Sequence, residues 1–168
     1  MITKKICFLG ASSVGKTSLI RRYVESIFSE KYHTTIGVKI DKKIIQMQDQ
    51  SLQLMIWDIE GYDEFSTFRK SFLRGASGYF FVIDATRPDS IAVCNQLYDM
   101  ANEWNASVPF LVLINKSDLK DEFNVTDEHK KILQSKGWEW LHTSAKTGEN
   151  VELAFLTLSE KMVEIDTV

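Results

Sequence analysis

Residues Gly10 to Thr17 read Gly-Ala-Ser-Ser-Val-Gly-Lys-Thr and follow the apolar run Lys4-Lys5-Ile6-Cys7-Phe8-Leu9. This is the pattern G-x-x-x-x-G-K-[ST] between a strand-like segment and a helix-like one, the context the motif requires. A glycine-rich loop of this kind turns successive backbone N–H groups inward, and the helix that follows adds the positive end of its dipole. Lys16 would bring a cation to β- and γ-phosphates. The Thr17 hydroxyl is a hard oxygen suited to Mg²⁺. The chemistry implied is phosphate binding of a nucleotide, with the base left open between adenine and guanine.

Two further clusters address the base. Asn115-Lys116-Ser117-Asp118 ends the run Pro109 to Asn115, and Ser144-Ala145-Lys146 ends the segment Trp138 to Ala145. A carboxylate such as Asp118 only accepts hydrogen bonds. Guanine presents two donors side by side, N1–H and the 2-amino group, whereas adenine has an acceptor at N1 and no 2-amino group. A buried polar mismatch costs about 1–3 kcal/mol, and more when one partner is charged. The stem of Lys116 or Lys146 could cover the base plane, and the Ala145 N–H could reach the 6-oxo group. Asn-Lys-Ser-Asp alone is a common solvated turn; its place after the phosphate loop and before Ser-Ala-Lys gives it weight.

The elements that must carry these loops are legible as alternating patterns. Residues 4–10, 78–85 and 109–115 are continuous apolar runs, expected as buried strands, and residues 138–145 form a further short strand with Trp138 and Trp140 on one face. Val38–Met47 and Ser51–Asp58 flank Asp49-Gln50, which predicts an antiparallel hairpin. Helical spacing joins Leu19, Ile20, Tyr23, Val24 and Ile27, then Ile91, Cys94, Leu97, Tyr98, Ala101 and Trp104 after a cap at Asp89, and finally Val151, Phe155, Leu158 and Met162. Thr126 opens a short helix, and residues 65–73 suggest an irregular one. Short apolar strands alternating with helices predict an α/β domain, a mostly parallel sheet of about six strands covered on both faces. Ligands of such sheets bind at the carboxyl ends of the strands, where all three clusters fall.

The three clusters, in that chain order, resemble the small Ras-like GTPases over nearly the whole chain, and the Thr35-Ile36-Gly37-Val38 string and Trp57-Asp58 resemble the Rab branch more than Ras itself. The resemblance implies a P-loop NTPase (small G protein) fold, six-stranded with helices on both faces, with residues 1–168 forming one GTPase domain. It implies GTP or GDP as ligand with Mg²⁺ as cofactor, bound through Ser13, Val14, Gly15, Lys16, Thr17, Ser18, Phe28, Thr35, Gly61, Asn115, Lys116, Asp118, Ser144, Ala145 and Lys146. Thr17, Thr35 and, through a water, Asp58 would hold the metal. Lys16, Thr35 and Gly61 would take catalytic roles, with Gly61 N–H on the γ-phosphate. Tyr32 to Gly37 resembles the first switch, and Asp58-Ile59-Glu60-Gly61 opens the second. Effectors, exchange factors and activating proteins would engage residues 30–38 and 60–72, where Phe65, Phe68 and Phe72 are either core or interface anchors.

One position departs from the family. The residue after Asp58-x-x-Gly61 is usually a glutamine that orients the attacking water; here it is Tyr62. A phenol of pKa near 10 is a poor base at neutral pH, and its one hydroxyl cannot both donate and accept as an amide does. Asp63 and Glu64 add only negative charge. Tyr62 is therefore expected not to be competent, and intrinsic hydrolysis is expected to be slow, unless Glu60 holds the water. Ser12 and Ser13 stand where Ras has two glycines; they add a hydrogen bond near the γ-phosphate or crowd an incoming arginine.

The bulk numbers narrow the rest. The 168 residues carry a net charge of −3, which does not favour a nucleic-acid surface, and no run approaches the ~20 apolar residues of a transmembrane segment. Cys7 and Cys94 fit two buried thiols in a reducing cytosol. His33, His129 and His142 show no metal-ligand spacing. The chain ends Glu-Ile-Asp-Thr-Val with no cysteine for prenylation, so a cytoplasmic location is expected, with membrane association only through a partner or a removed C-terminal tail. The favoured function is a Rab-like GTP/GDP switch in intracellular trafficking or signalling. The alternatives are a non-hydrolysing module that keeps GTP or GDP as a structural ligand, and an ATP-using enzyme such as a small kinase.

Overall fold

The computed structural model describes residues 1–31, 34–63 and 68–167. Strands β1 (Ile2–Gly10), β2 (Val38–Gln46), β3 (Ser51–Ile59), β4 (Gly78–Asp84), β5 (Phe110–Asn115) and β6 (Trp140–His142) form one sheet in the order β2-β3-β1-β4-β5-β6. The β2–β3 pair is antiparallel and every other pairing is parallel. Met47 N donates to Gln50 O at 2.9 Å, closing the hairpin at the turn its sequence predicts. Helices α1 (Lys16–Glu25), α2 (Asp89–Trp104), α3 (Asp127–Ser135) and α4 (Val151–Asp166) connect and cover the sheet.

The strand period of two divides the core. From β1, Ile6 and Phe8 join Leu19, Ile20 and Tyr23 of α1 and Phe155 and Leu158 of α4. Cys7 and Leu9 turn the other way, to Cys94 and Leu97 of α2 and Leu133 of α3. β4 is buried along its whole length because it lies inside the sheet with helices on both faces. Phe155 ties the first face together: its ring stacks on Tyr23 at 3.6 Å and lies 5.1 Å from Phe80 and 5.7 Å from Phe8. Burial of each such side chain stabilises the fold by about 1.5–3 kcal/mol relative to exposure. Both thiols are buried, and burial pushes each up to about 12.

Several sequence expectations shift at element ends. Helix α1 stops at Glu25 because Ser26 turns left-handed at φ 57° and its N–H caps Arg22 O, so Ile27 leaves the stripe and is exposed. Trp104, the last residue of α2, is likewise exposed rather than part of the apolar stripe. Asp89 is not the cap of α2: it sits in the first turn after Pro88, and its carboxylate meets Arg87 Nη2 at 3.2 Å. Of the irregular helix expected over 65–73, the structure has a 3₁₀ turn at Lys70–Leu73, and Phe65 lies outside the described residues. The last strand is only Trp140–His142, with Trp138 and Trp140 packed on the same core face. Thr126 does cap α3, and His129 completes the capping box by accepting Thr126 N–H at 3.0 Å.

Candidate functional site

The carboxyl ends of the parallel strands open onto a cavity of about 400 Å³, within the usual range for a small-molecule site. It brings together Ser12, Ser13, Gly15, Lys16, Thr17 and Ser18 from the loop after β1, Phe28, Thr34 and Thr35 from the segment after α1, and Glu60, Gly61 and Asp63 after β3. Asn115, Lys116, Asp118 and Leu119 after β5 and Ala145 and Lys146 after β6 close the far side. Ser29, Glu30 and Lys31 also line it, although the sequence assigned none of them to nucleotide binding.

At the phosphate loop, Lys16 is 5% exposed and donates to Gly10 O at 3.1 Å and Ala11 O at 2.9 Å. Burial pushes its ammonium down to about 8; Asp58 opposes that shift and Arg87 adds to it. Gly15 needs to be glycine twice over: its φ is 101°, and a Cβ there would lie 2.3 Å from Asn115 Nδ2. Val14 is fully buried and does not line the cavity; its carbonyl accepts Asn115 Nδ2 at 2.9 Å.

Beneath the loop, Thr17 Oγ1 donates to Asp58 Oδ2 at 2.6 Å, and Thr35 Oγ1 lies 2.8 Å from Thr17 Oγ1 and 3.3 Å from Asp58 Oδ2. Burial raises the Asp58 carboxyl, opposed first by the Thr17 hydroxyl and then by the Lys16 charge. Asp58 Oδ1 is buried with no hydrogen-bond partner among the described residues. An orphaned carboxylate oxygen costs about 1–3 kcal/mol or more. Three convergent hard oxygens, with the second Asp58 carboxylate oxygen left unpaired, suit a divalent cation such as Mg²⁺.

The second switch lies directly on the phosphate loop. A Cβ on Gly61 would fall 2.5 Å from Ser12 Cα, and Tyr62 N donates to Gly10 O at 2.9 Å in a short bridge to Ala11. Ser12 Oγ is 3.4 Å from Gly61 O and 3.2 Å from Asp63 Oδ2. Tyr62 is absent from the cavity lining: its ring sits edge-on to Phe68 at 6.2 Å, against the second core cluster. Glu60 does line the cavity, where Oε2 accepts Gly37 N–H at 3.2 Å while Glu60 N donates to Gly37 O at 2.8 Å. Phe68 and Phe72 are half-buried against the same cluster. Tyr32, His33 and Glu64 lie outside the described residues, as does Phe65.

At the base end, Ser144 is fully buried and does not line the cavity. Its hydroxyl instead donates to Asp118 Oδ1 at 2.7 Å and fixes that carboxylate. A carboxylate has about four lone-pair sites, so one hydroxyl leaves room for a pair of donors. Thr143 Oγ1 holds Asn115 Oδ1 at 3.2 Å, and Lys116 joins Asp84 Oδ2 at 2.8 Å to Ser13 O at 3.1 Å. Arg22 bonds Ala145 O at 2.6 Å and Lys146 O, and Ser117 bonds Glu149. Phe28 packs from the cavity wall onto the first core cluster, and Lys146 pairs with Glu30 at 3.5 Å. Arg22, Asp84, Arg87 and Glu149 support the site yet carry no local motif that would have marked them.

A mostly parallel sheet whose first strand feeds a G-x-x-x-x-G-K-T loop, with loops after β5 and β6 lining the same cavity, defines the P-loop small G protein fold. The chain belongs to the Ras family, whose model matches residues 5–164. It is 34% identical over 161 residues to Ras-related protein Rab-1 of Theileria annulata, covering 94% of this chain and 73% of that protein. It is 33% identical to Ras-related protein Rab-8B of Pongo abelii and of Homo sapiens, covering 95% of this chain and 78% of each. The chain is thus a Rab-like small GTPase, a GTP-binding regulatory switch from a family that binds GTP and GDP, generally with Mg²⁺.

Proposed function

We propose that this GTPase binds GTP and GDP through the residues assembled in the cavity and hydrolyses GTP slowly. The observation that carries the reading is the single cavity joining the phosphate loop, Thr35 and Gly61 to Asn115, Asp118 and Ala145. Backbone N–H groups of Ser13 to Thr17 and that of Ser18 would hold the phosphates, and Asp118 would take the guanine N1–H and 2-amino donors. Phe28 and the stems of Lys116 and Lys146 would flank the base. The hydroxyls of Thr17 and Thr35, and Asp58 through a water, would hold Mg²⁺, which when bound supplies positive charge to the β- and γ-phosphates.

In hydrolysis a water oxygen forms a bond to the γ-phosphorus, and the bond from that phosphorus to the β–γ bridging oxygen breaks, giving GDP and phosphate. Phosphoryl transfer is mostly positioning and charge stabilisation. Lys16 would offset charge on the leaving oxygens, while the Gly61 N–H would steady the γ-phosphate. Neither Tyr62 nor Glu60 would orient the water. The Tyr62 ring packs on Phe68, and the Glu60 carboxylate is engaged by Gly37 N–H.

Tyr62→Gln should raise single-turnover GTP hydrolysis by tenfold or more, since a positioned polar group contributes on the order of 10²–10⁴ at best. The Gly10–Tyr62 backbone bridge does not depend on the side chain and should survive. A rate equal to or below that of the unaltered chain would contradict the reading.

We also place the switch in intracellular trafficking or signalling, on the Rab-like residues Thr35 to Val38 and Trp57-Asp58. Its partners would dock on residues 30–38 and 60–72. Ile36, 85% exposed, with the exposed Ile40 and Ile44 on β2 supports an apolar docking surface there. A partner that binds the chain equally with GDP and with a non-hydrolysable GTP analogue would argue against a switch at this surface.

A further inference from the structure

Every carbonyl of the phosphate loop from Gly10 to Val14 accepts a hydrogen bond from a side chain. Lys16 takes Gly10 and Ala11, Lys116 takes Ser13, and Asn115 takes Val14. The remaining carbonyl, that of Ser12, accepts Arg87 Nη1 at 2.9 Å. Arg87 lies in the short connection between β4 and α2, and no sequence motif marks it.

The peptide group is planar and trans, so fixing a carbonyl on one side fixes the next residue's N–H on the other. The Ser12 carbonyl belongs to the same peptide as the Ser13 N–H. Holding that oxygen on Arg87 therefore sets the direction of the Ser13 N–H. Ser13 also has φ 63°, a left-handed conformation that is unfavourable for a non-glycine residue, so its peptide has to be held by something.

Arg87 is itself anchored. Its N–H donates to Asp84 O at 3.0 Å, and its carbonyl accepts Ser90 N–H at 3.1 Å and Ser90 Oγ–H at 2.6 Å. Its second guanidinium nitrogen meets Asp89 Oδ2 at 3.2 Å. Asp84, at the same strand end, holds Lys116 on the neighbouring Ser13 carbonyl. The end of β4 thus sets two cations on two consecutive carbonyls of the loop.

We propose that Arg87 is a positioning residue for phosphate binding: its guanidinium on the Ser12 carbonyl turns the Ser13 N–H toward the nucleotide's phosphates. The inference rests on the nucleotide-binding reading. It is tested on the full chain with Mg²⁺, using fluorescent GDP and a fluorescent non-hydrolysable GTP analogue, for the unaltered protein, Arg87→Ala and Arg87→Lys. Hydrogen bonds to charged groups are the strong ones, so Arg87→Ala should release both nucleotides about tenfold faster or more. Arg87→Lys should recover most of that loss. The preference for GDP over ADP should be unchanged, because the base end is untouched, and the ³¹P resonances of bound GDP should move in Arg87→Ala.

Release within twofold of the unaltered chain, unmoved ³¹P resonances, or a loss that lysine does not rescue would each overturn the proposal. A lowered melting temperature with normal phosphate resonances would reduce Arg87 to a fold-stabilising residue and overturn it too. If the unaltered chain binds neither nucleotide, the nucleotide reading falls first and takes this inference with it. If it binds both and Arg87→Ala binds equally well, this inference falls alone.

Discussion

Lys16→Ala should weaken both GDP and GTP by about 30-fold to several thousand-fold. The buried ammonium does two jobs. It holds Gly10 O and Ala11 O at 3.1 and 2.9 Å, keeping the loop curled, and it lines the cavity together with the loop serines, Thr17, Glu60 and Asp63. Removing one member of a desolvated charge pair costs about 2–5 kcal/mol, and each 1.4 kcal/mol is about tenfold in affinity. Titration with a fluorescent guanine nucleotide measures the loss directly. A change smaller than about tenfold would mean that the phosphates do not lie on Lys16.

Asp118→Asn should exchange the preferred base. Ser144 Oγ donates to Asp118 Oδ1 at 2.7 Å, and it can donate equally to an amide oxygen. The new NH₂ would then stand where the second carboxylate oxygen was. It would meet the 2-amino group of guanine donor to donor, but it would suit xanthine, whose 2-oxo group accepts. A site built around a substrate's polar group rejects a mismatched analogue strongly. With a lost charged hydrogen bond at about 1.5–3 kcal/mol, GDP affinity should fall by about 100-fold while XDP affinity rises. Competition of GDP and XDP against one fluorescent probe reads both changes. Equal losses for both bases would show only a damaged site.

How much of this was legible depends on range. The buried strands could be read because β4 and β5 are apolar up to their last residues, Asp84 and Asn115, and the phosphate loop because its spacing is local. Helix ends could not be read from periodicity: Ile27 continues the α1 stripe in sequence, but the chain has already turned left-handed at Ser26. Most of the motif residues that line the cavity stand in three local motifs, whereas the groups that hold them carry no such mark. Arg87 reaches Ser12 across 75 positions, and Arg22 reaches Ala145 across 123. Such pairings are set by strand order, which no local pattern encodes. Ser144 and Val14 belong to the motifs yet sit behind the cavity wall, because each stabilises a neighbour that faces inward.

Tyr62 falls between the two cases. Its departure from glutamine was visible in the sequence. Its packing on Phe68 and its backbone bridge to the phosphate loop came only from the way β3 runs alongside β1. The same adjacency brings Gly61 so near Ser12 that a side chain has no room.

The most direct measurement is competition of GDP against ADP for the purified chain in the presence of Mg²⁺. GDP should win by at least about 100-fold, because the proposed pairing of Asp118 with guanine's two edge donors has no counterpart on adenine. Equal affinity for the two, or no affinity for either, would contradict the site described.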